Sequence, residues 1–409
     1  MLKFRSIIAV VSALALPLTA MAQGNPLGLN AEEIRLILRH GPWPAPWTRD
    51  ASNRVSGKPE AIALGERLFF EPALSATGSV SCATCHVPDK NWADGRKLGV
   101  ALGEVDRNTP SVLNVRYQRW FGWDGANDNL WSQSVRPLLD AKEMGASERH
   151  VAQLLRGDPD LACRYRKAFA RAPLADDEML MIDVGKALAA FQETLITGRT
   201  LFDDFRDAVM RNDWKAAAAY PENALRGARI FMGKGNCSLC HFGPNFSNGE
   251  FHEIGIPIVK KSGGIDWGRY QGIKSLRASR FNLLGAYNDD RTKATGQSTR
   301  FVELAPQTFE QFKAPGLRNV ALSAPYMHNG HLATLRDVLK HYSGIDVTLL
   351  HQAHIYAGDV MAEAVPTDSV LQPLKLSDQE ISDAVAFLET LSERVPVKFQ
   401  PGSVKNKCL

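Results

Sequence analysis

Two short cysteine motifs constrain this chain more than any other feature of its sequence. Cys82-Ala-Thr-Cys85-His86 and Cys237-Ser-Leu-Cys240-His241 share the pattern Cys-x-x-Cys-His. This pattern is the attachment signal for c-type haem, in which both thiols add to vinyl groups and the histidine becomes the proximal iron ligand. A four-cysteine zinc site is the alternative; it is weak because the pairs lie far apart and each is followed by histidine. The sequence therefore predicts two covalently bound c-type haems.

The remaining pattern is helix and loop. Amphipathic periodicity predicts helices at residues 31–39, 59–70, 149–156, 177–197, 222–233, 334–342 and 377–391. Long alternating strands are missing, and two glycine- and charge-rich connectors, residues 87–107 and 243–298, each follow a cysteine pair. Arg67-Leu-Phe-Phe precedes the first pair and Arg229-Ile-Phe-Met the second, which is a weak internal repeat. We expect an all-α fold with long ordered loops.

The repeat also predicts the domain organisation. A chain of 409 residues suggests two domains. We expect an N-terminal extension at residues 23–58, a first haem domain at residues 59–197 and a second at residues 198–409. The extension contains a proline- and tryptophan-rich stretch, residues 40–47, to which the sequence assigns no role. A formal net charge of only +4 argues against nucleic-acid binding.

The first 22 residues have the features of a secretory signal peptide. Lys3 and Arg5 precede an apolar run at residues 7–18, and small residues lead to a cleavage point between Ala22 and Gln23. No other stretch is long and apolar enough to span a bilayer. We therefore expect an exported protein of the bacterial periplasm, where disulfides are permitted. Cys163 and Cys408 could pair there, and the sequence does not decide whether they do.

The second axial position of each iron decides its chemistry, because an empty position can meet peroxide. After His86, the next histidine is His150, and no methionine precedes Met144. The loop beside the first motif thus offers no evident sixth ligand, and we expect the first haem to be open.

For the second haem, the candidate ligands are Met327, His341 and Tyr342. A helix beginning near Thr334 would place Tyr342 on one apolar face, whereas His341 lies off that face and Met327 lies in the preceding loop. Tyr342 is therefore a good candidate ligand, and a packed core tyrosine is the alternative.

With these motifs, the chain resembles the family of bacterial di-haem cytochrome c peroxidases and MauG-type enzymes over roughly residues 59–392. The resemblance rests on the haem motifs, Arg107-Asn-Thr-Pro110, Trp123-Asp-Gly125, Gln133, Pro137, Glu143-Met144 and the sequence from Leu317 to Gly330. It implies two helical cytochrome c-like domains, with a tryptophan and a calcium ion between the haems.

The resemblance also implies roles for single residues. Trp123 matches the tryptophan that bridges the haems, and Gln133 and Glu143 match residues on the peroxide side of the first haem. The calcium ligands would be the Asn108 side chain and the carbonyl groups of Ser323 and Pro325, since calcium prefers oxygen. Arg318 and His328 are two further matches. Arg318 is expected to balance the negative charge of the haem propionates, and His328 is expected to be structural or on the electron path.

Three departures concern the subfamily, two from the peroxidases and one from MauG. Leu102 stands near the position of their distal histidine, and Tyr342 stands where they carry methionine. Both departures are typical of the MauG-type branch, which carries tyrosine as the second-haem ligand. Against this, Gly235 replaces the surface tryptophan from which MauG passes holes to its protein substrate. The tryptophans that remain as candidates for passing holes to a partner are Trp43, Trp92, Trp120 and Trp131.

Three functions remain open. The first is a di-haem oxidase that reacts with hydrogen peroxide and oxidises an external donor, either a small cytochrome, a cupredoxin or a tryptophan-bearing protein. The second is a conventional cytochrome c peroxidase, and the third is a pure electron carrier with two six-coordinate haems. The sequence decides neither the donor nor whether the protein is a monomer or a homodimer.

Overall fold

The computed structural model describes residues 25–345 and 371–394, together with residues 399 and 408. The predicted signal peptide lies outside these residues. The described helices are α1 (Ala31–Leu38), α2 (Pro59–Phe69), α3 (Cys82–Cys85), α4 (Leu130–Leu139), α5 (Glu148–Gly157), α6 (Pro159–Phe169), α7 (Asp177–Gln192), α8 (Leu201–Met210), α9 (Trp214–Ala217), α10 (Glu222–Met232), α11 (Arg269–Ala278), α12 (Gln297–Arg300), α13 (Leu335–Ser343) and α14 (Asp378–Glu389). Two short strands, β1 (Phe251–His252) and β2 (Phe312–Lys313), pair antiparallel. The predicted mostly helical fold with long loops is confirmed.

Local sequence signals explain where several helices begin. The N-cap side chains of Asn30, Thr334 and Ser377 each accept a hydrogen bond from the backbone of the third helical residue, whose side chain bonds back. Such capping boxes satisfy amide groups that have no partner within the helix. The predicted start of α14 after Ser377 is therefore confirmed.

The helices bury two large hydrophobic clusters. The first is built mainly by α2 and α4–α7 and includes Phe69, Trp131 and Phe191. The second is built mainly by α1, α8, α10 and α14 and includes Phe231 and Phe387. Helix α1 packs against α8 and α10, so the N-terminal extension contributes to the second cluster.

Each cluster contains one very close helix crossing at a glycine. A Cβ atom on Gly65 of α2 would lie 2.0 Å from the Ala187 carbonyl oxygen of α7. A Cβ atom on Gly227 of α10 would lie 1.9 Å from the Asp383 carbonyl oxygen of α14. Each glycine lies in the helix that precedes a cysteine motif, so the weak sequence repeat corresponds to a repeated packing geometry.

We predict that Gly227→Ala lowers the free energy of unfolding by about 2–3 kcal/mol, because the new methyl group forces α10 away from α14. Gly157→Ala is the control, since a Cβ atom there meets nothing within 4 Å. Urea unfolding followed by circular dichroism measures both. Equal stability of the two variants would contradict the close-crossing explanation.

Several elements differ from the sequence expectation. Helices α4, α6 and α8 were not predicted, and the connector at residues 243–298 contains α11. The expected helix at residues 177–197 ends at Gln192. Pro137 lies inside α4, where it cannot donate a hydrogen bond to the carbonyl group four residues earlier, and the helix ends two residues later, at Leu139.

A disulfide joins Cys163 of α6 to Cys408, with 5.9 Å between their Cα atoms. This resolves a pairing that the sequence left open, and it fixes Cys408 to the first-cluster helices. No helix within residues 25–345 or 371–394 has the length and apolar character needed to cross a membrane.

Candidate haem-binding site

The two motif histidines are oriented in the same way. His86 follows the single turn α3, and its Nδ1 lies 3.2 Å from the Trp92 carbonyl oxygen. His241 follows a 3₁₀ turn at Cys237–Leu239, and its Nδ1 lies 3.0 Å from the Phe246 carbonyl oxygen. A carbonyl oxygen can only accept, so Nδ1 carries the proton and Nε2 keeps the lone pair that a metal needs.

Burial keeps both motif sites neutral. It lowers the pKa of His86 and lowers that of His241 to about 4. It raises the pKa of Cys82 and of Cys237 to about 12. Neutral imidazoles and free, protonated thiols fit haem ligation and thioether attachment.

One cavity of about 1200 Å³ connects the two motifs. Its wall contains every site residue predicted from the sequence: Cys82, Cys85, His86, Asn108, Trp123, Gln133, Glu143, Cys237, Cys240, His241, Arg318, Ser323, Pro325, His328 and Tyr342. These residues come from segments far apart in sequence, and the fold brings them to one site.

The wall near the first motif presents a carboxyl and an amide. Glu143 accepts a 2.7 Å hydrogen bond from Arg136, and its charge acts on Cys82, Cys85 and His86. The Gln133 side-chain oxygen accepts a 2.9 Å bond from Asn127, which leaves the Gln133 amide nitrogen as a donor.

Leu102, which stands where the peroxidases carry a histidine, is next to this wall. Its backbone nitrogen donates to the Glu143 carbonyl oxygen at 3.3 Å. A hydrocarbon side chain cannot ligate iron. This position therefore supplies no distal ligand to the first haem.

Of the three candidate ligands for the second haem, Tyr342 has the most suitable surroundings. It lines the cavity on α13, and burial raises its pKa above the ordinary value, with Cys237 and Cys240 as further causes. The His341 Nε2 lies 2.6 Å from the Ile254 carbonyl oxygen, so that ring is already hydrogen-bonded. Met327 also lines the cavity.

Trp123 and Asn108 lie together on the cavity wall. The indole nitrogen of Trp123 donates to the Asn108 carbonyl oxygen at 2.8 Å, and the Asn108 backbone nitrogen donates to the His328 carbonyl oxygen at 2.7 Å. The Asn108 side-chain nitrogen donates to the Arg96 carbonyl oxygen at 2.8 Å. The Asn108 side-chain oxygen therefore remains as an acceptor, the type of group that calcium prefers.

Arg318 has a different environment from the one that a propionate partner would need. Its guanidinium makes two bonds to the buried Asp203 carboxylate, at 2.8 and 2.9 Å, and a third to the Pro244 carbonyl oxygen. Asp203 therefore already balances the charge of Arg318 within the protein.

Lys313 is a cavity residue that sequence reasoning missed. Its ammonium donates to the Gln118 side-chain oxygen at 2.6 Å and to the Trp120 carbonyl oxygen at 2.9 Å, both uncharged acceptors. Burial lowers its pKa to about 8. An ammonium has three N–H donors, so one remains for an anion in the cavity. The signal was weak, because a single lysine in a two-residue strand has no distinctive spacing.

His328 is buried and uncharged. Its ring stacks on Phe312 with 3.5 Å between centroids, and burial lowers its pKa to about 3. Its Nδ1 has no hydrogen-bond partner among the described residues. A proton-relay role is therefore disfavoured, and the structural or electron-path expectation stays open.

Two buried carboxyl groups were also missed. Burial raises the pKa of Glu310 to about 8, with the charge of Glu253 as a second cause, and burial raises the pKa of Glu253 to about 7. One side-chain oxygen of each is buried and has no hydrogen-bond partner in the part of the chain that the structure describes. A raised pKa in the folded state means that ionisation opposes folding.

We predict that stability falls as pH rises from the ordinary glutamate value of 4.5 through the folded value of about 8. Glu310→Gln removes part of this loss, so its Tm exceeds the parent value at pH 9 and changes less between pH 5 and pH 9. Thermal unfolding measured by circular dichroism tests this, with the exposed Glu303→Gln as control. Parallel curves for the parent and Glu310→Gln would contradict it.

Comparisons with known proteins identify relatives of the chain. The family model described as di-haem cytochrome c peroxidase matches residues 59–210. The chain is 35% identical over 337 residues to the methylamine utilization protein MauG of Methylorubrum extorquens strain AM1, covering 81% of this chain and 78% of that protein. It is 29% identical over 338 residues to the cytochrome c551 peroxidase of Pseudomonas aeruginosa strain PAO1, covering 81% and 79%.

Solved structures share the fold. The di-haem peroxidase BthA from Burkholderia thailandensis aligns with a TM-score of 0.63 at 24% identity, covering 86% of this chain and 90% of that one. A MauG-like protein associated with microbial copper homeostasis aligns with a TM-score of 0.61 at 23% identity, covering 90% and 97%.

Proposed function

Because the chain belongs to the family of MauG and the bacterial di-haem cytochrome c peroxidases, we propose that it is a periplasmic di-haem oxidase of the MauG-like kind. It reacts with hydrogen peroxide at an open first haem and oxidises an external donor through a second, Tyr342-ligated haem. Residues 59–197 hold the first haem, and residues 198–409 hold the second. The signal peptide at residues 1–22 directs export.

The observation that carries the proposal is the difference between the two ends of one cavity. A carboxyl and an amide, Glu143 and Gln133, lie on the wall that contains His86. The backbone of Leu102, whose side chain has no ligand atom, bonds to the Glu143 carbonyl oxygen. A buried phenol, Tyr342, lies beside the second cysteine pair. In this proposal, the first site admits a small polar oxidant to the iron, whereas the Tyr342 phenol blocks access in the second site.

Three side chains of the protein have separate roles in the proposed reaction. When bound, each haem supplies an iron that exchanges electrons. Glu143 moves a proton between the two oxygens of peroxide, and its ion pair with Arg136 fixes the carboxyl in place. The Gln133 amide donates a hydrogen bond to peroxide, and Trp123 lies on the electron path between the two sites.

Two charge roles complete the proposed site. Lys313 would pair with a haem propionate, because the two acceptors of its hydrogen bonds, Gln118 and the Trp120 carbonyl group, are uncharged. Arg318, paired with Asp203, acts on propionates only at longer range. Asn108 through its side chain, and Ser323 and Pro325 through their carbonyl groups, would hold calcium between the haems.

A conventional cytochrome c peroxidase is the second candidate. Gly235 stands where MauG has its surface tryptophan, and the chain is also 29% identical to cytochrome c551 peroxidase. The donor would then be a small cytochrome or cupredoxin rather than a tryptophan-bearing protein.

Peroxide added to the ferric holoprotein separates these functions. The MauG-like proposal expects an immediate and persistent change of the haem absorption spectrum. The peroxidase alternative expects little reaction until one haem is reduced. Two fully low-spin, six-coordinate haems that ignore peroxide in both states would leave a pure electron carrier.

We predict that Tyr342→Phe changes the axial ligation of one haem and leaves the other unchanged, because only the second site loses its phenol oxygen. Electron paramagnetic resonance of the ferric holoprotein measures this. Tyr326→Phe is the matched control, since Tyr326 lines the same cavity but donates its phenol to the Val320 carbonyl oxygen. Identical spectra for Tyr342→Phe and the parent would remove Tyr342 as a ligand.

We predict that Glu143→Gln slows the reaction of the ferric holoprotein with peroxide by about 10²-fold or more, because the amide cannot move a proton. Stopped-flow absorbance measures the rate. Glu148→Gln, on α5 and away from the cavity wall, keeps the parent rate. A parent-like rate in Glu143→Gln would exclude the carboxyl from peroxide chemistry.

A further inference from the structure

The four tryptophans considered as exits are not at the surface. Trp43, Trp92, Trp120 and Trp131 are 3%, 6%, 4% and 0% exposed. Whichever of them receives an oxidising equivalent needs a more exposed neighbour to pass it on. The proline-rich stretch at residues 40–47 supplies one, because Trp47 is partly exposed.

The stretch at residues 40–47 begins next to the second haem motif. The His40 ring is buried and stacks on Phe246 with 4.5 Å between centroids. The Phe246 carbonyl oxygen is the group that orients His241. The stretch therefore contacts Phe246, whose carbonyl oxygen accepts the hydrogen bond from the predicted iron ligand His241.

Trp43 lies directly behind the cavity wall. The Arg318 guanidinium, which lines the cavity, stacks 3.6 Å from the Trp43 ring centroid. The indole nitrogen donates to the Thr197 carbonyl oxygen at 2.9 Å. Asp203 neutralises Arg318, so the cation beside the indole does not by itself forbid removal of an electron from it.

An aromatic row runs from Trp43 to the surface. The Trp43 and Tyr117 ring centroids are 5.3 Å apart. The Arg116 guanidinium lies 4.9 Å from the Tyr117 centroid and 4.8 Å from the Trp47 centroid, so it is packed between these two rings. The Tyr117 hydroxyl donates to the Ala45 carbonyl oxygen at 2.9 Å, which fixes the stretch against the row.

We propose that Trp43, Tyr117 and Trp47 form the route by which electrons pass from an external donor to the haem-binding cavity, with Trp47 as the surface contact. The inference rests on the proposed reaction with peroxide. Peroxide takes up two electrons and two protons and becomes two waters; the donor supplies the electrons one at a time along the row. The protons come from solvent through Glu143.

The hydrogen bonds assign different parts to the three rings. A carbonyl oxygen is too weak a base to accept a proton, so neither the Trp43 indole nor the Tyr117 phenol can release one to its partner. An indole can lose an electron and keep its proton, whereas an oxidised phenol that keeps its proton is much less stable. The tryptophans are therefore stopping points, and Tyr117 is a bridge.

The experiment uses the ferric holoprotein with one addition of peroxide, then reduced cytochrome c as the donor. We expect Trp47→Phe and Trp43→Phe to oxidise reduced cytochrome c at least about tenfold more slowly than the parent, a barrier change of about 1.4 kcal/mol. Trp214→Phe is the control. Trp214 is also partly exposed, but it packs against the second hydrophobic cluster, outside the row.

A second readout does not depend on a donor. With peroxide alone, the row itself must supply the electrons, so mass spectrometry is expected to find one added oxygen atom on Trp47, with water as the other product. This label should be lost at Trp47 in Trp43→Phe. Unchanged haem spectra of the variants before peroxide show that they are folded.

The outcomes separate the two proposals. If the parent ferric protein does not react with peroxide, the proposed function fails. If it reacts, but Trp47→Phe oxidises reduced cytochrome c at the parent rate and the added oxygen lies elsewhere, the route is wrong and the proposed function stands.

Discussion

Both predicted histidine ligands depend on one kind of contact, a hydrogen bond from imidazole Nδ1 to a backbone carbonyl a few residues further along the chain. In His86 the acceptor belongs to Trp92, and in His241 it belongs to Phe246. The contact fixes the tautomer and the ring plane, so Nε2 of each ring is left to bind iron. Both acceptor residues are themselves buried, which ties each ligand to a hydrophobic cluster.

The sequence predicted the parts of this site that have fixed local spacing. The cysteine motifs, the capping box at Ser377 and the apolar face that carries Tyr342 are all read within a few residues. Tyr342 does line the cavity beside the second cysteine pair. The resemblance added residues such as Trp123 and Glu143, whose own neighbours in sequence are uninformative.

What the sequence could not predict depends on partners distant in the chain. Arg318 was expected to balance the charge of the haem propionates, and its guanidinium also forms an ion pair with Asp203, 115 residues away in the chain. Lys313 showed no signal, because its burial is set by Gln118 and Trp120. The missed helices α6 and α8 do carry local signals, because Asp158 caps α6 and Thr200 opens α8 with a capping box. The cluster that α1 joins, in contrast, cannot be read from its own sequence.

The Cys163–Cys408 disulfide imposes an order on maturation of the chain. Six cysteines allow roughly fifteen complete sets of pairs, and forming this bridge removes two electrons from one pair while the other four sulfurs must stay reduced until haem is added. Cys408 is synthesised 245 residues after Cys163, so Cys163 must wait as a thiol through that part of translation. A cell that makes this protein must therefore oxidise one pair of cysteines while it keeps the other four reduced on the same polypeptide.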